Sequence, residues 1–479
     1  MSEYKLFVQR IGLVGFVNIL ISLSSLIYLP ILTKQFSATE YGMWVQISTT
    51  MSLMPNLANL GLPYTMTRFL SGETKYERMR ESFYSIISMT LLPTLIICIL
   101  MLVFSGTIAH YLFNDITQIA ITLVFIVFFA CVNTVLLNYF RTIRKMKLYS
   151  LFLLLQTYIG VMIGSYLALS GYPMMTVVFA TLISQFCVFI MMYILIYKDL
   201  GFKIPEFKQA REFLNFGVPT VPNSVSNWIV TSCDTYLISI ILGTAFVGYY
   251  SPAYSLGSLL LMFLQPFALL LPAILPQYYD TGNIKEVNKY MGYSMKYYLM
   301  ITIPAVFGMS LLSYPILTIL STSEIAANGF LVTPWVCLGA LLMGIYGITS
   351  NILVLEKRTK ILGSSWIIAS ITNIILNIIL IPHYGIISAA ITTLFSYTIA
   401  FAITLYYSRE NFKLPFDYPF ITKAIISAII MSIPIYLIQP RGIPQVLITI
   451  PIAAVIYFAI LIILKGIKIE EINFMKKLI

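Results

Sequence analysis

Charge is what this sequence has least of. Only 10% of its 479 residues are Asp, Glu, Lys or Arg, against about a quarter in a soluble domain, and that shortage excludes a water-facing globular surface. Histidine is scarcer still. His110 and His383 each sit alone in a short turn with no paired acid or nucleophile in view, so histidine-based catalysis and metal binding are not expected. Five cysteines, Cys98, Cys131, Cys187, Cys233 and Cys337, all lie inside apolar runs without pairing or metal-ligand spacing, and they read as small core residues. Long polar loops are missing as well: the largest outer loop is about a dozen residues around His110 and Asp115, too small for an extracytoplasmic domain that does chemistry. A cleavable leader is not expected, because the apolar run Ile11 to Leu32 is too long for a signal-peptide core and no small-x-small site follows it.

What the sequence has instead is apolar length. Hydrophobic residues are 59% of the chain and the mean hydropathy is +0.90, values of a polytopic membrane protein. Apolar runs of about 20 residues bounded by charge or turn residues predict fourteen spans. The second is expected at Tyr41 to Phe69, the seventh at Phe213 to Leu242 and the eighth at Val247 to Leu275. Numbered this way, alternate loops hold all of the 29 basic residues except Lys34 and Arg441. That alternation predicts both termini on the cytoplasmic side of the cell membrane. The formal charge of +11 is then a basic inner collar against anionic headgroups, Lys296 included, and requires no nucleic-acid partner.

One stretch organises the chain. REFLNFGVPTVPNSVSNWIVTSCDTYLISIILG, Arg211 to Gly243, is long and apolar enough to cross a bilayer, yet it carries Pro219 and Pro222 near its basic end and Asp234 inside it. The prolines predict a kink or a locally unwound hinge. Asn223, Asn227, Thr231 and Asp234 recur at spacings that share one helical face, and a carboxylate at membrane depth is a candidate functional site, the alternative being a neutral or hydrogen-bonded structural carboxyl in a helix contact. Polar lining is also expected from Asn18, Ser22 and Ser25 on the first span and from Asn56 and Asn59 on the second; small polar residues so spaced are equally ordinary glue between helices. A weak repeat joins the two halves: Ser37-Ala-Thr-Glu-Tyr-Gly-Met-Trp44 is echoed by Gly243-Thr-Ala-Phe-Val-Gly-Tyr-Tyr250, with Gly42 and Gly248 in register. It suggests two six-helix halves of common parentage.

With FSATEYGMW and NLGLPYTMTRFLSGE near the start, FLNFGVPTVPNSVSNWIVTSCDTYLISIILG at the midpoint and LNIILIPHYGIISAAITTLFSY from Leu376 to Tyr397, the chain resembles the polysaccharide-type flippases of the multidrug/oligosaccharidyl-lipid/polysaccharide (MOP) exporter superfamily. The resemblance touches both halves. One departure is Thr235, where members often carry an Arg after the matching Asp. The implied fold is an all-α membrane protein of the MATE/MOP-like type, with 14 transmembrane helices: bundles at 1–200 and 201–408, and two additional helices with a short tail at 409–479. The implied activity is that of a transporter and no enzyme, moving a polyprenyl-diphosphate-linked oligosaccharide of the O-antigen or teichoic-acid type by alternating access. Such a substrate needs cations for its diphosphate, and Arg10, Arg68 and Arg141 are the candidates. Asp234 is the candidate for coupling to H+ or Na+; no cofactor, metal or catalytic residue is implied. Expected partners are the lipid-linked oligosaccharide, membrane lipids and polysaccharide polymerase or assembly proteins, around a monomer. Two rivals stand beside this reading: a cation-coupled multidrug or organic-cation exporter of the same superfamily, and a membrane-embedded glycan polymerase or acyltransferase.

Overall fold

A computed structural model describes residues 3–73, 75–409 and 416–467, with side chains from residue 15 onward. Every regular element among the described residues is helical. Among the described residues thirteen helices are long and apolar enough to cross a membrane, and the protein is a multi-pass membrane protein. The chain forms two compact units, residues 1–248 and 249–479. This partition by contact differs from the one expected at 200/201, because the helices just after residue 200 pack with those of the first unit.

The first unit contains α1 (Glu3–Gln35), α2 (Ala38–Ala58), α3 (Leu62–Leu70), α4 (Tyr76–Val103), α5 (Ser105–Leu112), α6 (Thr117–Thr142), α7 (Met146–Leu169), α8 (Met174–Leu200), α9 (Ala210–Gly217) and α10 (Val221–Leu242). Helix α6 is its hub, touching α2, α3, α4, α5, α7 and α8. It is apolar nearly all round, as a helix enclosed by others must be. Val135, Leu136 and Phe140 on it meet Met66, Phe83, Phe152 and Val188 from its neighbours.

Helix α2 begins with a capping box. Ser37 Oγ accepts from the Glu40 backbone N–H while Glu40 accepts from the Ser37 N–H, so two amides at the helix end are satisfied. The expected second span does not continue as one helix. It breaks after Ala58, where Leu60 (φ 50°) and Gly61 (φ 69°) turn left-handed and Pro63 enters the first turn of α3. Proline suits that position, since its missing N–H has no helical partner there anyway. The break leaves α2 with 21 residues and α3 with 9, and α2 is absent from the thirteen because Glu40, Gln46 and its Ser and Thr residues make it too polar, not because it is too short.

The second unit holds most of α11 (Thr244–Ser258), then α12 (Gln265–Asp280), α13 (Ile284–Leu320), α14 (Ser323–Gly329), α15 (Val332–Leu355), α16 (Thr359–Tyr384), α17 (Ile386–Ser408), α18 (Tyr418–Ile438) and α19 (Gly442–Ile463). Helices α15, α16 and α17 pack together, and α13 joins α15 on one side to the pair α18–α19 on the other. Met295, Tyr298 and Leu299 of α13 share one core with Ala424, Ala428 and Met431 of α18 and Tyr457 of α19. Lys296 departs from the collar assigned to it: it is 8% exposed, its ammonium 5.2 Å from the centre of the Phe420 ring. Counting charges along loops misses this, because α13 starts at Ile284 and carries Lys296 more than three turns inside the helix, while hydropathy starts the span only a few residues before it.

Candidate functional site

The site is built on α10. Helix α9 runs into it through a tight 3-10 turn, Val218–Thr220, in which the Val221 N–H reaches back to the Val218 carbonyl. Pro219 lies inside that turn and Pro222 in the first turn of α10, both at early positions where a lost donor costs little. The chain therefore tightens rather than opens at the expected hinge. Beyond it Asn223 is exposed, Asn227 and Thr231 are half-buried and Asp234 is 1% exposed, so the shared face grades from accessible to enclosed along the helix. Thr231 Oγ1 donates to the Asn227 carbonyl at 3.0 Å.

Another side of α10 is sewn to α2. Gln46 Nε2 donates to the Thr235 carbonyl at 2.7 Å, Thr50 Oγ1 and Tyr236 OH lie 2.6 Å apart, and Trp228 Nε1 donates to Ser52 Oγ at 2.8 Å. Thr235 Oγ1 donates to Thr49 Oγ1 at 3.4 Å. Sequence reasoning missed this polar stripe on α2. Its signal was the spacing of Gln46, Thr49, Thr50 and Ser52, overshadowed by the more conspicuous asparagines further along.

The two echoing turns meet each other. A Cβ on Gly42 would stand 2.1 Å from the Thr244 carbonyl oxygen, and a Cβ on Gly248 would stand 2.0 Å from the Ala38 carbonyl oxygen. Ala38 and Thr244 hold equivalent places in the two turns, as do Gly42 and Gly248. Each glycine thus sits on the carbonyl of the other turn, the reciprocal contact that a two-fold relation produces. Only a residue without Cβ allows such an approach.

Other expected residues are dispersed. Asn18, Ser22 and Ser25 lie on the exposed face of α1, with Ser22 Oγ donating to the Asn18 carbonyl and Ser25 Oγ to the Ser22 carbonyl. Asn56 gives its amide to the Ser52 carbonyl. Asn59 is buried and donates to the Cys131 carbonyl on α6 at 3.2 Å, holding the break between α2 and α3. Arg68 and Arg141 are exposed in the last turns of α3 and α6. They belong to the same end of the unit, because their neighbours Thr67 and Thr142 touch through hydroxyls 3.4 Å apart. The side chain of Arg10 lies outside the described residues. His110, expected to stand without an acid, has one: Asp115 Oδ1 is 2.9 Å from its Nδ1, both side chains well exposed. The turn of positive φ at Asn114 and Asp115 brings the carboxylate back, which spacing alone did not reveal.

The second unit contains a polar knot of its own. Asn377 Nδ2 donates to Asn373 Oδ1 at 3.1 Å, and Thr392 Oγ1 donates to Asn377 Oδ1 at 2.6 Å. All three are fully buried between α16 and α17. Among the described residues no three His, Cys, Asp or Glu side chains gather as metal ligands.

The described residues form a bundle of spanning helices with polar faces, and known structures share that fold. The lipid II flippase MurJ in an inward closed conformation superposes with a TM-score of 0.78 at 20% identity, covering 93% of this chain and 97% of that one. An inward-facing multidrug resistance MATE transporter of the MOP superfamily gives 0.64 at 15% identity, covering 82% and 97%. Residues 7–276 match the polysaccharide biosynthesis protein family, and residues 219–379 match MatE. The chain belongs to the polysaccharide biosynthesis protein family. Among curated relatives, the probable low-salt glycan biosynthesis flippase Agl15 of Haloferax volcanii is 25% identical over 231 residues, 48% of each chain. The probable flippase AglR of the same organism is 29% identical over 171 residues, 35% of each. The matched stretch thus spans about half the length of the first relative.

Proposed function

We propose that this protein is a flippase that carries a polyprenyl-diphosphate-linked oligosaccharide across the cytoplasmic membrane by alternating access, with both termini on the cytoplasmic side. The observation that carries the reading is family membership across residues 7–276, a stretch that includes the whole Asp234 helix. Two named flippases among the relatives support it. The two bundles at 1–200 and 201–408, with 409–479 added, are the repeats whose turns touch at Gly42 and Gly248. Arg68 and Arg141, at one end of the first unit, and Arg10 receive the diphosphate. Asn18, Ser22, Ser25, Asn56, Asn223, Asn227 and Thr231 give the polar lining.

Outward movement of a dianionic headgroup is favoured by an inside-negative potential, by about 2.3 kcal/mol per charge per 100 mV. Asp234 adds coupling to H+ or Na+. A carboxylate so enclosed changes its protonation or its counter-ion only when the surrounding helices rearrange, and that dependence ties ion movement to conformational change. The competing organic-cation exporter draws on the MatE match over residues 219–379.

Deleting the gene in its native host separates these readings. The flippase reading expects a complete oligosaccharide-lipid to accumulate on the inner leaflet, restored to export by the wild-type chain and not by Asp234→Asn. Normal export in the deletion strain would remove the flippase reading. Full rescue by Asp234→Asn, with unchanged ion dependence, would remove only Asp234 from the mechanism.

A further inference from the structure

Between α8 and α9 the chain forms neither helix nor ordinary loop. Residues 201–209 run as an extended strap, clamped along the first turns of α4 by contacts from several directions. Tyr84 OH donates to the Gly201 carbonyl and the Arg80 guanidinium to the Phe202 carbonyl. The Glu206 N–H donates to Glu81 Oε1 at 2.7 Å, and Ser82 Oγ to Gln209 Oε1 at 3.2 Å. Lys203 Nζ stands 3.5 Å from both Glu77 and Glu81. The strap's backbone is thus held, while its large apolar side chains stay largely uncovered: Ile204 is 76% exposed, Phe207 45%, and Phe202 58% even with one edge of its ring against Tyr84.

A segment this firmly anchored is not waiting to fold its apolar residues inward. It joins two spanning helices, so it lies at the boundary of the bilayer, where exposed aromatic and aliphatic groups rest among headgroups and upper acyl carbons. Beside it are two hollows separated by Lys208 and Gln209. An open one of about 560 Å³ is lined by Phe69, Lys208, Gln209, Arg211, Glu212, Asn215 and Phe216. The other, of about 290 Å³, adds Arg78. Lys208 is paired with Glu206 at 2.5 Å. The pairing holds the Glu206 carboxyl below its usual range and the Lys208 ammonium above its own. Arg78 and Arg211 make no ion pair or side-chain hydrogen bond among the described residues, so their guanidinium donors are open to an anion.

We infer that the strap and the adjoining hollow form a binding site for an anionic glycerophospholipid of the surrounding bilayer. Phe202, Ile204 and Phe207 enter the interface beside the lipid's acyl chains, and Arg211 with Lys208 holds its phosphate. Arginine suits that task because its planar fork can donate two parallel bonds to one phosphate. A basic pocket flanked by inserted apolar groups combines the two attractions that make interfacial binding stable. The phosphate is held on α9, the same helical rod that continues into α10 and Asp234. Nothing in the inference depends on transport, and lipid retention can be read without it.

The test uses the full chain, purified and delipidated, with phosphatidylglycerol, phosphatidylcholine and a polyprenyl diphosphate added back separately and retention read by native mass spectrometry. Phosphatidylglycerol is expected to be retained in preference to phosphatidylcholine, and the double variant Lys208→Gln/Arg211→Gln to hold it about thirty-fold more weakly. Unchanged retention in the double variant overturns the site. So does a loss confined to the polyprenyl diphosphate, which would assign the hollow to the transported substrate. Ile204→Trp supplies an independent reading in nanodiscs. Its added fluorescence is expected to be quenched by brominated lipid; quenching by an aqueous quencher alone would place the strap in water and overturn the inference.

Discussion

Two helix seams, one in each unit, are made of opposite materials. Along α2 and α10 the contact is carried by Gln46, Thr50 and Ser52 reaching Thr235, Tyr236 and Trp228. Where α13 meets α18 and α19, it is carried by Met295, Leu299, Ala424, Ala428, Met431 and Tyr457, with Lys296 laid against Phe420. Water can take over a hydrogen bond when a polar seam parts, so each bond contributes only about 1 kcal/mol net. Interlocked apolar side chains have no such substitute, because separating them leaves their surfaces without contacting atoms. In the transport cycle proposed above, the polar seam is the one suited to opening and the apolar one to staying shut.

The largest expected effect tests the point where the polar seam ends. Gly42→Ala and Gly248→Ala each set a Cβ about 2 Å from a backbone carbonyl oxygen, a clash that only a backbone shift relieves, at a cost of about 3 kcal/mol. Thermal unfolding in detergent should show both variants far below the wild type. Gly363→Ala, with nothing within 4 Å of the new atom, should melt like the wild type. Equal behaviour of all three would mean that the two turns do not meet as described.

A smaller loss is expected in the apolar seam. Lys296→Ala removes the cation over Phe420, worth about 1 to 2 kcal/mol in an enclosed setting, and should raise hydrogen exchange in α18 more than in α2. Lys296→Met, which keeps the volume, should recover part of the protection. Exchange rising equally in both helices would dissolve the distinction between the seams. The smallest effect belongs to Trp228→Phe, which deletes one bond to Ser52 at about 1 kcal/mol. Labelling of a cysteine placed at the buried Thr49 of the same seam should become faster in that background while the melting midpoint moves little. Unchanged labelling with a large stability loss would show that the α2–α10 seam is structural rather than mobile.

Much of the fold was legible in the residues themselves. Apolar length marked the spans, and Pro219 with Pro222 marked an irregularity at the start of α10, though not that it would tighten into a 3-10 turn; the capping box of Ser37 and Glu40 went unread. The break inside the second span was written in Asn59-Leu60-Gly61-Leu62-Pro63, yet hydropathy averaged over it. The candidate site was legible as a face but not as an environment. The spacing of Asn223, Asn227, Thr231 and Asp234 fixed which side chains share a side of the helix; it carried no information on how deeply each would be enclosed. Asn59 shows the same limit, since its partner Cys131 lies on a different helix far along the chain.

The sequence by itself determined that this protein lives in a membrane, that its chain crosses many times, and that one central helix carries a carboxylate. Those properties are sums over local residues, and hydrophobic transfer and helical periodicity need no knowledge of neighbours. Only the tertiary structure decided that Gly42 and Gly248 each rest on the other's turn, that Lys296 is inside, and that residues 201–209 are strapped to α4 with their large apolar side chains largely uncovered. Such pairings are settled by which helices lie side by side, and helical periodicity names a face without naming what it meets.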